Sequence, residues 1–235
     1  MKRLFTVLLV LALLVPTTLA VADDYSYVIG HYGGFTGAVA TAGSNGRDGI
    51  LLAVKLWNEK GGVLGGQIGV ELYDDGSTTE GAVKGVSYLL DQVGVDGLIG
   101  SQLSGNIQAT GDLVEAYQIP EVATGMNPAW LQKGWTYLFR ALPNSSGGAA
   151  PLVDAMETLG STKIASLVYQ DDGNTSAYKQ VKAVIESRDT VEIINEQQAM
   201  VGETDWTGAL SAIINAQPSG VIMDSSRNSS ACSLT

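Results

Sequence analysis

The chain has 235 residues, with 24 Asp and Glu against 13 Lys and Arg, a single Cys and a single His. A net charge of −11 is unsuited to nucleic acid, whose phosphates call for clustered Lys and Arg, and no basic amphipathic stretch is present for an anionic lipid surface. One thiol makes no disulfide framework, and one His with one Cys makes no His/Cys metal site, so an ordinary apolar core must hold the fold, in one large or two small domains.

At the N-terminus, Lys2 and Arg3 precede an apolar run from Leu4 to Val15 that only Thr6 interrupts. Pro16 ends the run, and Ala20-Val21-Ala22 supplies small residues at a cleavage position. This layout predicts a signal peptide over residues 1–22 and a mature chain starting near Asp23. The run is too short to span roughly 30 Å of hydrocarbon at about 1.5 Å per residue. No Cys directly follows it, which argues against a lipid-anchored start. Cleavage removes two bases and no acid, so the mature net charge deepens from −11 to −13.

Beyond the leader, short β-rich runs alternate with helical stretches. Tyr25–Gly30 reads as a strand, and 43–60 as a helix with Ile50, Val54 and Trp57 on one stripe, ended by Gly61-Gly62. A strand at 67–73, a helix at 79–93, a short buried strand at 97–99 and a helix at 106–117 follow, then strands at 120–123 and 137–139. Strands alternating with helices of this length imply βαβ units and parallel sheets covered by helices. The stretch Ala141-Leu-Pro-Asn-Ser-Ser-Gly-Gly148 concentrates turn formers and reads as a linker. After it come a helix (149–159), a strand (163–169), a helix (176–188), a strand (191–196), a helix (206–215) and a strand (220–223).

The expected organisation is therefore a leader (1–22), a first lobe (23–143) and a second lobe (144–223). The serine-rich stretch 224–235 loses all helical periodicity. A second sheet of about three parallel strands would leave a long unpaired edge. That favours an incomplete second lobe with a truncated or frame-shifted end; the other reading is a natural disordered tail.

Several segments carry chemistry by their place between strands and helices. Phe35-Thr36-Gly37 ends the first strand in a glycine-rich turn, where ligands meet the carboxyl edge of a parallel sheet. Asn58 reads as a helix-end cap, and Asp74-Asp75 as the organisers of a turn and the next helix start. The loop Gly100-Ser-Gln-Leu-Ser-Gly-Asn106 joins a buried strand to a helix N-terminus, whose unpaired N–H groups and partial positive charge suit a carboxylate. Ser104 adds a hydroxyl donor there, or else serves as the helix cap.

Taken in order, Gly30–Gly37, Gly46–Gly65 with its Asn58-x-x-Gly61-Gly62 helix end, Leu72–Val83, Ile99-Gly100 with Ser104, and Ile119-Pro120 leading to Phe139-Arg140 resemble one family. They are similar to type I periplasmic binding proteins, in particular the leucine/isoleucine/valine-binding group, over roughly residues 26–222. The resemblance implies an α/β, two-lobed fold and ligand contacts from Gln102, Leu103 and Ser104, the last holding an α-carboxylate. It implies further contacts at Gly125 and at Asn127, where the family has Thr; the strand-end turn places Phe35 near a ligand as well. At Asn174 and Thr175 the family has an aromatic followed by Gly. Trp130 lies near enough to the Asn127 loop to rim the cleft, while Trp57, Trp135 and Trp206 read as packing residues.

No Gly-x-Ser-x-Gly elbow and no Gly-Lys-Ser/Thr phosphate loop occurs. The expectation is a non-enzymatic protein with no catalytic residue, metal or cofactor. It captures a small polar ligand outside the cytoplasm, an amino acid or a related amide or carboxylate, and delivers it to an ABC permease, as a monomer when complete. The alternative is the sensory domain of a receptor with the same fold.

Overall fold

The computed structural model describes residues 25–143, 145–200 and 203–224. The leader expected at 1–22 lies outside them, as does the expected tail save Asp224, which ends the last strand. Strands β1 (Tyr27–Gly33), β2 (Ile68–Asp74), β3 (Gly97–Ile99), β4 (Glu121–Ala123) and β5 (Leu138–Arg140) form a parallel sheet in the order β2-β1-β3-β4-β5. Strands β6 (Lys163–Tyr169), β7 (Glu192–Ala199) and β8 (Gly220–Asp224) form a second parallel sheet, ordered β7-β6-β8. The helices are α1 (Ala40–Glu59), α2 (Thr79–Tyr88), α3 (Ser104–Tyr117), α4 (Ala149–Thr158), α5 (Asp172–Glu186) and α6 (Thr207–Ala216). The α/β alternation and the parallel sheets thus stand as the sequence implies.

Element ends moved for identifiable reasons. β1 runs three residues beyond Gly30, because His31, Tyr32 and Gly33 continue to pair with Leu72, Tyr73 and Asp74; the Gly30–Gly33 segment is strand rather than the loop after it. The helix expected over 79–93 stays α-helical to Tyr88 and then widens into one π turn, Leu89–Val93, closed by Gly94 at φ 72°. α5 starts at Asp172 rather than Ser176, because the Asp171 carboxylate accepts the Asn174 N–H and so caps a helix that begins through Gly173. α3 likewise begins at Ser104, not Asn106.

In the larger sheet, register puts Gly30 opposite Leu98, and Leu98 and Leu138 opposite Glu121. These residues therefore share a face with Tyr32. On it pack Val86 of α2, Ile107 and Val114 of α3, and Trp130. Gly30 is needed in this layer: a Cβ there would sit 2.9 Å from Leu98 Cδ2. The opposite face meets α1, which touches β1 and β2; beyond it, Val122 and Phe139 are 42% and 51% exposed.

The stripe Ile50–Val54–Trp57 is not a buried face. Trp57 is 56% exposed, and Gly43 is the only buried residue of α1. The helix is held instead at its two ends. Gly43 packs against the Gly34 carbonyl, where a Cβ would fall 2.0 Å from the oxygen. Asn58 pairs with Ile68 at the start of β2, donating to its carbonyl at 2.8 Å and accepting from its N–H at 2.9 Å. Asn58 thus ties helix to strand rather than capping the helix.

One buried group stands out among the apolar side chains. Glu121 is wholly buried, accepts a 2.7 Å hydrogen bond from the Tyr32 hydroxyl on Oε1, and has no partner for Oε2 among the described residues. Burial pushes its carboxyl up to about 7, against a lowering contribution from the Tyr32 bond. The folded chain therefore binds a proton over a pH range in which the unfolded chain, with the ordinary Glu value of 4.5, has released it. Stability from this group is full below the unfolded value and is lost as pH rises through about 7. Urea denaturation at pH 5 and pH 8 is expected to show wild type losing on the order of 2–3 kcal/mol relative to Glu121→Gln across that range.

A candidate ligand cavity where helix N-termini converge

All five strands of the first sheet run the same way, so the helices that follow β1, β2 and β3 begin along one edge. α5, which follows β6 of the second sheet, begins opposite them. A cavity of about 210 Å³ lies between these starts. It is lined by Ala38 and Val39 before α1, Ser77 and Thr79 at α2, Leu103 to Asn106 at α3, and Tyr169, Asp171 and Asp172 between β6 and α5. Helix N-termini present unpaired N–H groups and partial positive charge. Asp171 and Asp172 set two carboxylates on the opposite wall.

Ser104 is the first residue of α3 and is nearly buried. The cap position belongs to Leu103, which makes no side-chain cap bond, so capping is not the role of Ser104. Its Oγ accepts the Asn127 N–H at 3.2 Å. A hydroxyl also has one proton to give, and that proton has no acceptor among the described residues. Gly125 lies directly behind it: a Cβ there would meet Ser104 Oγ at 2.9 Å and Ile107 Cδ1 at 2.5 Å.

The wall of the first sheet is braced by carboxylates. Asp74 Oδ1 accepts the N–H groups of Phe35, Thr36 and Gly76, and Oδ2 accepts the Thr36 hydroxyl at 2.7 Å. Partial burial pulls its carboxyl upward, but the bonds from Gly76, Thr36 and Phe35 together hold it below the usual range. Burial raises Asp75, which accepts Ser77 N–H at 2.8 Å and Asn106 Nδ2 at 2.9 Å. The acid pair thus fastens the turn after β1 to the starts of α2 and α3. The Ser77 hydroxyl completes the joint, accepting from Val39 N–H and donating to the Thr36 carbonyl.

The expected site residues divide into groups. Leu103 and Ser104 line the main cavity. They also line a smaller one, of about 20 Å³, together with Gln102 and Asn174. Gln102 Nε2 is buried there without a partner, and Asn174 is bonded to both oxygens of Asp171. Asn127 lies beside the cavity rather than on its wall. Its Oδ1 caps Ala129 N–H and accepts the Ser176 hydroxyl, and its Nδ2 reaches the Asp172 carbonyl at 3.3 Å. It therefore bridges the two sheets' layers. Phe35 stacks against His31 at 5.4 Å, beneath Arg47, and does not line the cavity. His31 is buried, donates through Nδ1 to the Ile99 carbonyl at 2.9 Å, and has its basicity lowered by that burial. Trp130, expected at the rim, is 1% exposed and donates from Nε1 to the Gly125 carbonyl; its ring is core. Val39, Ser77, Thr79 and Tyr169 were not singled out by sequence. The Ser77–Thr79 segment did carry one signal, a Ser and two Thr directly before a helix.

The sequence pattern of the periplasmic binding protein family matches residues 26–231, and the chain belongs to that family. The leucine-specific-binding protein of Salmonella typhimurium is 32% identical over 149 residues, 62% of this chain and 39% of that protein. Among solved structures, the branched-chain amino-acid binding protein LivJ of Streptococcus pneumoniae, in complex with isoleucine, aligns with a TM-score of 0.74 at 25% identity, over 84% of this chain and 56% of that one. A Rhodopseudomonas palustris solute-binding protein in complex with benzoate shares the fold with a TM-score of 0.76 at 19% identity, over 84% and 55%. The chain spans about half the length of these solved relatives. Among the described residues no helix is long and apolar enough to cross a membrane.

Gly125→Ala is expected to destabilise the chain by about 1–3 kcal/mol through overpacking against Ser104 and Ile107. Gly147→Ala, which meets open space, is expected to stay within about 0.5 kcal/mol of wild type in the same thermal melts.

Proposed function

We propose that this chain is the ligand-capturing part of an extracytoplasmic solute-binding protein serving an ABC importer, with lobes at residues 23–143 and 144–223, and that its ligand is an amino acid with an apolar side chain. The observation that carries this reading is the charge arrangement around the 210 Å³ cavity. Helix N-termini and the free Ser104 proton supply donors for a carboxylate on one wall. Asp171 and Asp172 supply acceptors for an ammonium on the other. A zwitterion satisfies both; a simple carboxylate such as benzoate satisfies only the first. The relatives that bind leucine and isoleucine support the amino acid, and the benzoate complex marks the competing ligand class.

Capture follows from this placement. A ligand held by α3 on one side and α5 on the other favours the state in which the two are together, and that differential affinity drives closure. Release to a membrane permease reverses it. No step makes or breaks a covalent bond.

Calorimetry against leucine, isoleucine, benzoate and leucinamide tests the reading. Leucine or isoleucine is expected to bind best, and leucinamide, lacking the carboxylate, poorly. Ser104→Ala is expected to weaken leucine binding about 10- to 150-fold, the cost of a lost hydrogen bond to a charged group. Benzoate binding more tightly than leucine would reject the amino-acid assignment. Unchanged leucine affinity in Ser104→Ala would remove Ser104 from the site.

A further inference from the structure

The buried carboxyl of Glu121 has no place in ligand capture as described above, yet a continuous hydrogen-bonded path leads from it to the cavity. The Tyr32 hydroxyl donates to Glu121 Oε1 at 2.7 Å and lies 3.0 Å from the Thr110 hydroxyl, which bonds to the Asn106 carbonyl at 3.0 Å. The Ser101 N–H sits beside the Tyr32 hydroxyl, and the fully buried Ser101 hydroxyl, beside the Asp75 carboxylate, accepts the Leu103 N–H at 3.1 Å. Asp75 in turn holds Asn106 and Ser77. Leu103, Asn106 and Ser77 all line the cavity.

Packing couples the same two places. Gly100, the first residue of the loop, lies against the carboxyl: a Cβ there would fall 1.9 Å from Glu121 Oε1. The loop base is thus bare backbone laid over a buried acid. We propose that Glu121 is the positioning residue of the Gly100–Asn106 loop, holding it in its ligand-ready shape through Gly100 and the Tyr32–Thr110–Asn106 bonds. The importance of that shape rests on the function proposed above, but the coupling itself does not.

The coupling depends on the proton. With Glu121 neutral, the orphaned Oε2 costs no more than an unpaired polar atom. Ionised, it becomes a buried charge with no donor, and water must reach it. The cover that can yield is the Gly100–Ser101 backbone, since the other walls are packed side chains. The charged or titratable groups on the elements around it are Tyr27, His31 and Tyr32 on β1, Asp75 after β2, Glu80, Lys84 and Tyr88 on α2, Asp112, Glu115 and Tyr117 on α3, and Arg140 on β5. Of these only Tyr32 contacts the carboxyl. His31 lies on the opposite face of the sheet, bonded to Ile99. Glu80 and Lys84 pair with each other, and Asp112 and Glu115 bond Trp135 and Thr136 at the surface. Arg140 covers Trp130 and binds the Asn127 carbonyl. Among the described residues no neighbouring cation compensates the ionised form.

Residue-resolved amide exchange on the whole 235-residue chain, without ligand and corrected for intrinsic rates, tests this between pH 5 and pH 8. Leu167 in β6 serves as an internal reference. In wild type, protection of Ser101 and Leu103 relative to Leu167 is expected to fall at least about ten-fold across that range through local opening. Glu121→Gln, which keeps the Tyr32 acceptor and cannot ionise, is expected to flatten the profile. Glu121→Leu, which leaves the Tyr32 hydroxyl without its acceptor, is expected to lower protection at both pH values. Should Glu121→Leu not fold, the wild-type and Glu121→Gln profiles decide alone. Ser101 and Leu103 tracking Leu167 at every pH in wild type would overturn the proposal, as would a wild-type profile that persists in Glu121→Gln. A pH-dependent loop in a chain that binds none of the amino acids would keep this coupling and reject the function; leucine binding with a pH-independent loop would do the reverse.

Discussion

Parallel pairing in the larger sheet is the constraint on which the site depends. When neighbouring strands run the same way, each must be reached by a crossover, and each crossover helix starts at the same edge. The chain therefore has no choice but to gather the starts of α1, α2 and α3 on one rim. Their N–H groups lack helical partners there, so the rim carries donors and positive potential before any side chain is chosen. Ser104, Ser77 and Thr79 refine a property that the topology already supplies. The second sheet contributes one further helix start, at α5, but brings Asp171 and Asp172 with it. The cavity is then polar in a directional sense, donors on one side and acid on the other.

A rim built from loops would be soft without bracing, and the bracing is carried by carboxylates and amides used as backbone substitutes. Asp74 accepts three N–H groups from two loops, as a strand carbonyl would. Asn58 pairs with Ile68 through both its donor and its acceptor, extending β2 by one pseudo-residue at the end of α1. Asn127 does the same between the layers, with Ala129 on one side and Asp172 and Ser176 on the other. These residues are strongly polar, and Asp74 and Asn127 lie close to the cavity, yet their hydrogen-bonding capacity is spent on the scaffold. This separates them from Ser104, whose proton remains free.

That division explains how much could be read from the sequence. The strand at Lys163–Tyr169 was legible to the residue, because an apolar run between turn formers is what a buried parallel strand requires. Ser104 was legible as a cavity-lining residue for a similar reason: a loop between a buried strand and a helix N-terminus lies at the carboxyl edge of the sheet, where the cavity forms. Local pattern failed where tertiary packing decided. Trp57 completes a helical stripe, but α1 is held by its ends, with Ile50 and Val54 only half-buried and Trp57 in solvent. Trp130 sits three residues from Asn127, but its indole needs an acceptor and finds the Gly125 carbonyl inward. Val39, Ser77, Thr79 and Tyr169 reach the cavity only because four separate chain segments meet, which spacing along one segment does not encode. Glu121 reads as an ordinary polar residue beginning a short strand; only the register beside Leu98 and Leu138 shows it to be buried.

The contact between Gly100 and Glu121 constrains how this protein can change over generations. A side chain cannot be added at position 100 while the long carboxyl occupies position 121, because the two would claim the same space. Shortening position 121 first opens room, after which position 100 is free to vary. The reverse order passes through a chain with a steric conflict under the Gly100–Asn106 loop. The two sites are thus historically ordered: relatives with a bulkier residue at the position of Gly100 are expected to carry a smaller or differently directed one at that of Glu121, and a library that randomises both together should recover the pair far more often than either alone.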